Sequence, residues 1–321
     1  MKKILITGGC GFIGSHLVEF FLKKKIKITV LDKKGKRFSI NWLKNLKHKN
    51  LNVILDDIRN KKKVFKLVKS SDYIIHLAAL VSIPHSYLKP YDHISTNIVG
   101  TFNILDACKT YKKKCIITSS SETYGSGKFL PMNENHPLNA QSPYAATKIG
   151  ADQLAMSYNK SFNLKVKIIK PFNCFGPRQS TRAIIPSIIT QMIQKANFVK
   201  IGNTQTYRDY TYIKDLCNAY WLLYKSSKGY GQTFNVGSNR TIKIINIYKI
   251  LKDYLKFKGK LKIEKRRFRP KKSEVSKLLC DNRLFKKNFK WRSNKIEHTI
   301  KETLEWYKSN KNLFKSKNYN I

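Results

Sequence analysis

Short, nearly unbroken apolar runs punctuate the first half of this chain at residues 2–7 (K-K-I-L-I-T), 26–31, 51–55, 72–77, 114–118 and 165–170. Each gives way to small or polar residues. Runs of that length, with no polar face, read as strands covered on both sides in a parallel sheet. Residues 97–111 carry apolar positions at helical spacing, and a second long helix runs from Tyr144 to about Phe162. Alternating strands and helices predict an α/β fold with a doubly wound parallel sheet. From Gly176 the alternation breaks down. T-R-A-I-I-P (181–186) leads a helix, short strands are expected near 199–201 and 233–236, and 296–308 reads as an amphipathic helix before a frayed tail rich in lysine and asparagine. The expected division is residues 1–175 for the main sheet and 176–321 for a smaller α/β lobe with segments returning to that sheet. No internal repeat is visible.

Composition narrows this picture. At 321 residues and 41% hydrophobic content the chain can bury a large core. It opens on Met1-Lys2-Lys3 directly before a strand, and no apolar run reaches bilayer length, so a soluble cytoplasmic protein without a membrane segment is expected. Cys10, Cys108, Cys115, Cys174, Cys217 and Cys280 are dispersed, without C-x-x-C or clustered histidines, which predicts free thiols and no metal. The net charge of +45, from 64 basic against 19 acidic residues, raises a nucleic-acid partner. The lysines are smeared, however, in runs such as 23–25, 61–63 and 112–114, with no arginine-rich arm. Solvated lysine faces that help steer an anionic substrate are the expectation, and nucleic acid is not.

The candidate chemistry sits at the predicted strand ends. Directly after the first strand, G-G-C-G-F-I-G-S-H places Gly8, Gly11 and Gly14 at G-x-x-G-x-x-G spacing, with Phe12 and Ile13 between. Between strand and helix, such glycines permit a tight turn and bring backbone N–H groups and a helix N-terminus up to a pyrophosphate, the signature of a Rossmann-type dinucleotide site. Asp32 ends the second strand. A carboxylate there suits a ribose 2′-hydroxyl and repels a 2′-phosphate, favouring NAD over NADP, although Lys33, Lys34, Lys36 and Arg37 pull the other way. After the third strand, Asp57 is expected to reach the adenine and Ile58 to pack on it; after the fourth, Ala78 and Ala79 let a loop lie against the cofactor. The fifth strand delivers S-S-S-E-T-Y-G (119–125), and S-P-Y-A-A-T-K (142–148) follows. Tyr144 and Lys148 are four apart on a helix and share a face. A nearby ammonium favours phenolate, so the Tyr144 pKa is expected to fall towards neutrality, as a base for a sugar hydroxyl requires. Ser120 is its candidate hydrogen-bond partner and Glu122 a second acid or base.

Together, G-x-x-G-x-x-G, H-L-A-A, S-S-S-E-x-Y-G and Y-x-x-x-K resemble the extended short-chain dehydrogenase/reductase superfamily of sugar-nucleotide enzymes. The resemblance implies NAD held by Gly8, Gly11, Gly14 and Asp32, with Lys148 on the nicotinamide ribose, Tyr144 as base and Ser120 as its hydroxyl partner. Glu122 stands where 4-epimerases usually carry a small or apolar residue and where 4,6-dehydratases and glucuronate decarboxylases carry glutamate. Ser121 departs from the Asp-Glu pair of the dTDP-glucose dehydratases and is counted with the substrate contacts. Matches at 76–87, 142–158, 171–186 and 269–275 are similar to the GDP- or UDP-N-acetylglucosamine 4,6-dehydratases of legionaminic acid biosynthesis, while Lys33 to Trp42 departs from that group. The implied activity is a nucleotide-sugar 4,6-dehydratase, with Asn173, Arg182, Arg208 and Arg269 as candidate substrate contacts, the arginines clamping a diphosphate. A decarboxylase would need an arginine facing a C6 carboxylate, for which Arg182 is a candidate; a 4-epimerase would need only Tyr144 and Lys148. A basic nucleic-acid-binding protein on an inactive dehydrogenase fold is the alternative from another class. By analogy, the helix at 97–111 and the helix of Tyr144 would pair in a homodimer.

Overall fold

The computed structural model describes residues 2–33, 42, 43 and 45–314. Lys34, Lys36, Arg37, most of the Lys33 to Trp42 segment and residues 315–321 of the expected frayed tail lie outside these residues; the start of that tail is instead a 3₁₀ turn, Lys311–Phe314, with Phe314 packed on Trp306 and Tyr307. The first-half strands are β1 (Lys3–Thr7), β2 (Lys27–Asp32), β3 (Leu51–Leu55), β4 (Tyr73–His76), β5 (Lys114–Thr118) and β6 (Val166–Pro171). They join one parallel sheet in the order β11-β6-β5-β4-β1-β2-β3, where β11 (Thr233–Val236) returns from the second half of the chain.

The reason these runs carry no polar face is visible in β1. Ile4 and Ile6 pack on one side with Leu17, Val18 and Phe21 of α1 (Phe12–Lys23), while Leu5 packs on the other with Ile104 and Leu105. All three strand residues have no solvent exposure, and each contributes about 1.5–3 kcal/mol of burial. The helices on the second side are α2 (Lys61–Lys69), α5 (Gly100–Thr110) and α6 (Pro143–Phe162). Before α5 come α3 (Ile83–Leu88), α4 (Pro90–His93) and a π-helical stretch, Ile94–Val99, where the sequence predicts ordinary helix from 97.

The second half adds β7 (Cys174–Phe175), α7 (Ile184–Ile193), β8 (Phe198–Ile201), β9 (Tyr207–Arg208), β10 (Thr211–Tyr212) and α8 (Ile213–Lys225). After β11 follow β12 (Ile242–Lys243), α9 (Ile244–Leu255), β13 (Lys260–Ile263), α10 (Arg283–Phe289) and α11 (Ile296–Ser309). Its short strands pair as β7 with β10, β9 with β12 and β8 with β13. Buried Lys167 of β6 ties the halves together: its ammonium donates to the carbonyls of Leu223 and Ser226, both at 2.7 Å, closing the C-terminal end of α8. Among the described residues no helix is long and apolar enough to cross a membrane, and no group of three His, Cys, Asp or Glu is placed to hold a metal ion.

Candidate active site

Neighbours β1 and β4 lead away in opposite directions, so the crevice beyond their C-terminal ends is the switch point where open parallel sheets take ligands. The glycine turn fills it. Gly8 has φ +70°, and a Cβ there would lie 2.7 Å from the Ala78 nitrogen, so the turn and the β4 loop meet backbone to backbone. A Cβ on Gly14 would lie 2.3 Å from the Gly8 carbonyl oxygen. No side chain caps α1 at Gly11 and its first turn holds no acidic residue, which leaves a helix N-terminus suited to a phosphate. Phe12 and Ile13 open that helix, half-buried. Buried Asp32 accepts the Cys10 N–H at 2.7 Å and the Lys33 N–H at 2.8 Å, so it braces the turn from the end of β2. These features fit a dinucleotide.

Asp57 is engaged within the protein. Arg59 chelates it, Nε at 2.9 Å and Nη2 at 2.7 Å, and these hydrogen bonds hold its carboxyl below the ordinary range. Ile58 is buried against α5, where a Cβ on Gly100 would lie 2.7 Å from it. Ala78 and Ala79 are half-buried in the loop after β4, with the Ala78 N–H donating to Thr7 Oγ1 at 3.3 Å.

The structure brings Ser120, Glu122, Tyr144 and Lys148 together. β5 ends at Thr118, and a 3₁₀ turn, Ser121–Tyr124, follows, in which Ser120 Oγ accepts the Glu122 N–H at 3.2 Å. The helix α6 begins at Pro143, with Ser142 Oγ accepting the Ala145 N–H at 3.1 Å, so Tyr144 and Lys148 lie on its first turns. Both are buried. The expectation that Lys148 draws the Tyr144 phenol towards neutrality does not hold. Burial pushes the phenol up to about 12, the Ser120 hydroxyl hydrogen-bonds it and lowers it in part, and the charges of Glu122 and Asp152 raise it. The Lys148 ammonium donates to the Thr118 carbonyl instead, and burial pulls its own pKa down.

The arginines are paired in this state. Arg269 grips both Glu122 oxygens, with Nη1 at 3.2 and 3.4 Å and Nη2 at 3.3 Å. Burial acts to lower the Arg269 pKa, yet the Glu122 charge and hydrogen bonds hold it above its ordinary value. Arg208, on β9, is buried and donates to Glu274 at 3.1 Å; burial and then the neighbouring Arg269 cation push its pKa down. The two guanidiniums are thus near enough for Arg269 to act on Arg208, each already held by a carboxylate. Ser121 is buried in the turn, Asn173 is half-buried before β7 with its carbonyl accepting the Thr211 N–H at 3.0 Å, and Arg182 is exposed in the turn before α7.

Three features escape sequence reasoning. Arg178, four residues before Arg182, is buried with φ +66°, donates to both Glu19 oxygens at 2.9 and 2.8 Å and stacks on Trp42. His93 lies edge-on to the Tyr144 ring with centroids 6.2 Å apart, and its Nε2 meets His85 Nδ1 at 3.2 Å. Asp152 adds a buried carboxylate beside Lys148. The helical spacing from Tyr144 to Lys148 to Asp152 was the available signal for the last.

The chain matches the family described as GDP-mannose 4,6 dehydratase over residues 5–303. It belongs to that family. A dTDP-D-glucose 4,6-dehydratase from Dictyostelium discoideum is 32% identical, covering 98% of this chain and 83% of the relative. A UDP-N-acetyl-alpha-D-glucosaminuronate decarboxylase from Bacillus cytotoxicus is 31% identical, over 97% of this chain and 99% of the relative. The solved dTDP-glucose 4,6-dehydratase of Bacillus anthracis in complex with NAD superposes with TM-score 0.89 at 26% identity, covering 98% of this chain and 99% of that one. The fold is therefore the Rossmann-type α/β fold of the NAD-dependent epimerase/dehydratase enzymes, and the relatives' names describe more than one reaction.

Proposed function

We propose that this chain is an NAD-dependent nucleotide-sugar 4,6-dehydratase that converts an NDP-hexose or NDP-N-acetylhexosamine to its 4-keto-6-deoxy product. The observation that carries the reading is the Glu122 carboxylate beside the hydrogen-bonded Ser120 and Tyr144 hydroxyls. Gly8, Gly11 and Gly14, with the uncapped start of α1, would hold the pyrophosphate of NAD, Asp32 its adenosine ribose and Lys148 its nicotinamide ribose. When bound, NAD supplies the acceptor for hydride from sugar C4 and the donor that returns it to C6. Tyr144 takes the proton of the 4-hydroxyl with Ser120 hydrogen-bonded to it. The phenol must first come down from about 12, so the charge of Lys148 and of the oxidised cofactor is needed for the proton to leave. A 4-keto group acidifies C5–H, which Glu122 removes. With Ser121 where the dTDP-glucose enzymes carry an aspartate, Glu122 also protonates the departing C6 hydroxyl. Arg208, Arg269 and Asn173 hold the diphosphate.

A decarboxylase is the second reading, because the guanidinium beside Glu122 belongs to Arg269 and could face a C6 carboxylate. It ranks second because the dehydratase needs no C6 carboxylate; in either one the Arg269–Glu122 pair must open before the guanidinium takes up substrate. Incubation with a panel of nucleotide sugars decides between them: loss of water supports the dehydratase, loss of carbon dioxide the decarboxylase, and an isomer of unchanged mass an epimerase. The proposal includes a homodimer through α5 and α6, which light scattering of the purified protein tests.

A further inference from the structure

One buried carboxylate at the site takes no part in the chemistry above. Tyr144, Lys148 and Asp152 follow one another at intervals of one turn along α6, which sets phenol, ammonium and carboxylate on the same helix face. Asp152 is only 3% exposed. Its Oδ2 accepts the Ser119 hydroxyl at 2.5 Å, and Lys170 Nζ, on β6, stands 3.5 Å from the same oxygen. Its other oxygen, Oδ1, is buried without a hydrogen-bond partner. A half-satisfied carboxylate in a dry place persists only where cations balance it. Lys148 is in the complementary position. It donates to a neutral carbonyl, burial pulls its pKa down, and the Asp152 charge opposes that pull. The other titratable groups facing these three residues are Glu122 and His93 at the Tyr144 end, His76 on β4, Tyr124 in the turn after β5 and Glu134 beyond Lys170. Burial and then the Lys148 charge hold His76 down to about 3, so it is neutral at working pH.

We infer that Asp152 is a positioning residue for Lys148: the buried counter-charge that keeps the ammonium protonated, with Ser119 fixing the carboxylate and Lys170 competing for it. If this holds, removing the carboxylate lowers the pH at which Lys148 loses its proton, whereas removing the competing cation raises it. A carboxylate that merely ties α6 to the sheet end produces neither shift.

The inference rests on the reading of Lys148 as a cofactor-side cation, but its decisive measurement does not. Lysine side-chain NMR signals of isotopically labelled, NAD-free protein are titrated with pH, the Lys148 signal being the one absent from Lys148→Met. In Asp152→Asn its midpoint is expected to move to lower pH by about one unit or more, the size of effect of an opposite charge lost at short range. In Lys170→Met it moves to higher pH. Ser119→Ala moves it in the direction of Asp152→Asn but less far, and serves if Asp152→Asn does not fold. The alkaline limb of turnover follows the same directions. An unmoved midpoint in folded Asp152→Asn, or in both Ser119→Ala and Lys170→Met, overturns the inference. So does a turnover loss that is uniform across pH with the midpoint in place.

Discussion

Replacing Glu122 by glutamine keeps the shape of the side chain and one acceptor oxygen but removes the charge that Arg269 holds at 3.2–3.4 Å. Two consequences of different size follow. The ion pair is partly open to solvent, with side-chain exposures of 27% for Arg269 and 16% for Glu122, so screening keeps its net contribution to stability near about 1 kcal/mol. For a chain of this size that is a melting shift of about 2–4 °C or less. Loss of the base for C5 is far larger, about 10²–10⁴-fold in turnover, or ~3–5 kcal/mol in the barrier. A folded Glu122→Gln protein should therefore melt almost normally and fail to eliminate water. Product mass reports the elimination, and uptake of solvent deuterium at C5 reports the proton removal before it. Dehydrated product at the wild-type rate from a protein that melts normally would refute the role of Glu122.

Tyr144→Phe should lose at least about 10²-fold in turnover, and it also carries a pH signature. The phenol is about 12 folded against an ordinary 10, so its contribution to stability is fully present below pH 10 and disappears between about 10 and 12. Denaturant melts across that window should show Tyr144→Phe losing less stability with rising pH than the parent. Gly14→Ala puts a Cβ 2.3 Å from a carbonyl oxygen and 2.6 Å from the Gly9 Cα, backbone that cannot swing aside, and should abolish NAD binding measured by fluorescence quenching. NAD affinity within a factor of two of the parent would contradict the placement of the turn. Arg178→Met takes from Glu19 the cation that helps hold its carboxyl below its ordinary range against burial, leaving it the Trp42 indole N–H at 2.6 Å; with Glu19 still 26% exposed, a loss of about 2–3 kcal/mol is expected in denaturant titration.

The main sheet was legible because a strand buried on both faces leaves an unbroken apolar run: residues 51–55 and 114–118 coincide with β3 and β5, and the others differ by a residue at their ends. The helix expected from 97 begins as a π-helical stretch. Apolar spacing does not register the extra residue per turn that lets Asn97 reach across to accept the Leu80 N–H at 2.8 Å and donate to Thr147 Oγ1 at 3.0 Å. The gathering of Ser120, Glu122, Tyr144 and Lys148 was legible because strand end and helix start bring them to one edge. The depth of the site was not. Spacing puts a phenol and an ammonium on one face but says nothing of how dry that face is, and at Tyr144 dryness outweighs the neighbouring charge. Nor can spacing pair Glu122 with Arg269 across the length of the chain.

The return of β11 to the sheet also governs how the molecule comes into being. In its absence β6, with Ile168 and Ile169 fully buried, is a bare hydrophobic edge open to pairing with another chain. During synthesis that edge stays uncovered until Thr233–Val236 has emerged, and Lys167 lacks the carbonyls of Leu223 and Ser226 until α8 is made. The β6 edge, one strand from the turn that carries Ser120, is thus an aggregation-prone surface of the nascent chain that closes only after Val236 is made. A fragment ending at residue 175 should accordingly be recovered as aggregate, and covering its edge in trans with the remainder of the chain is the step that should rescue it.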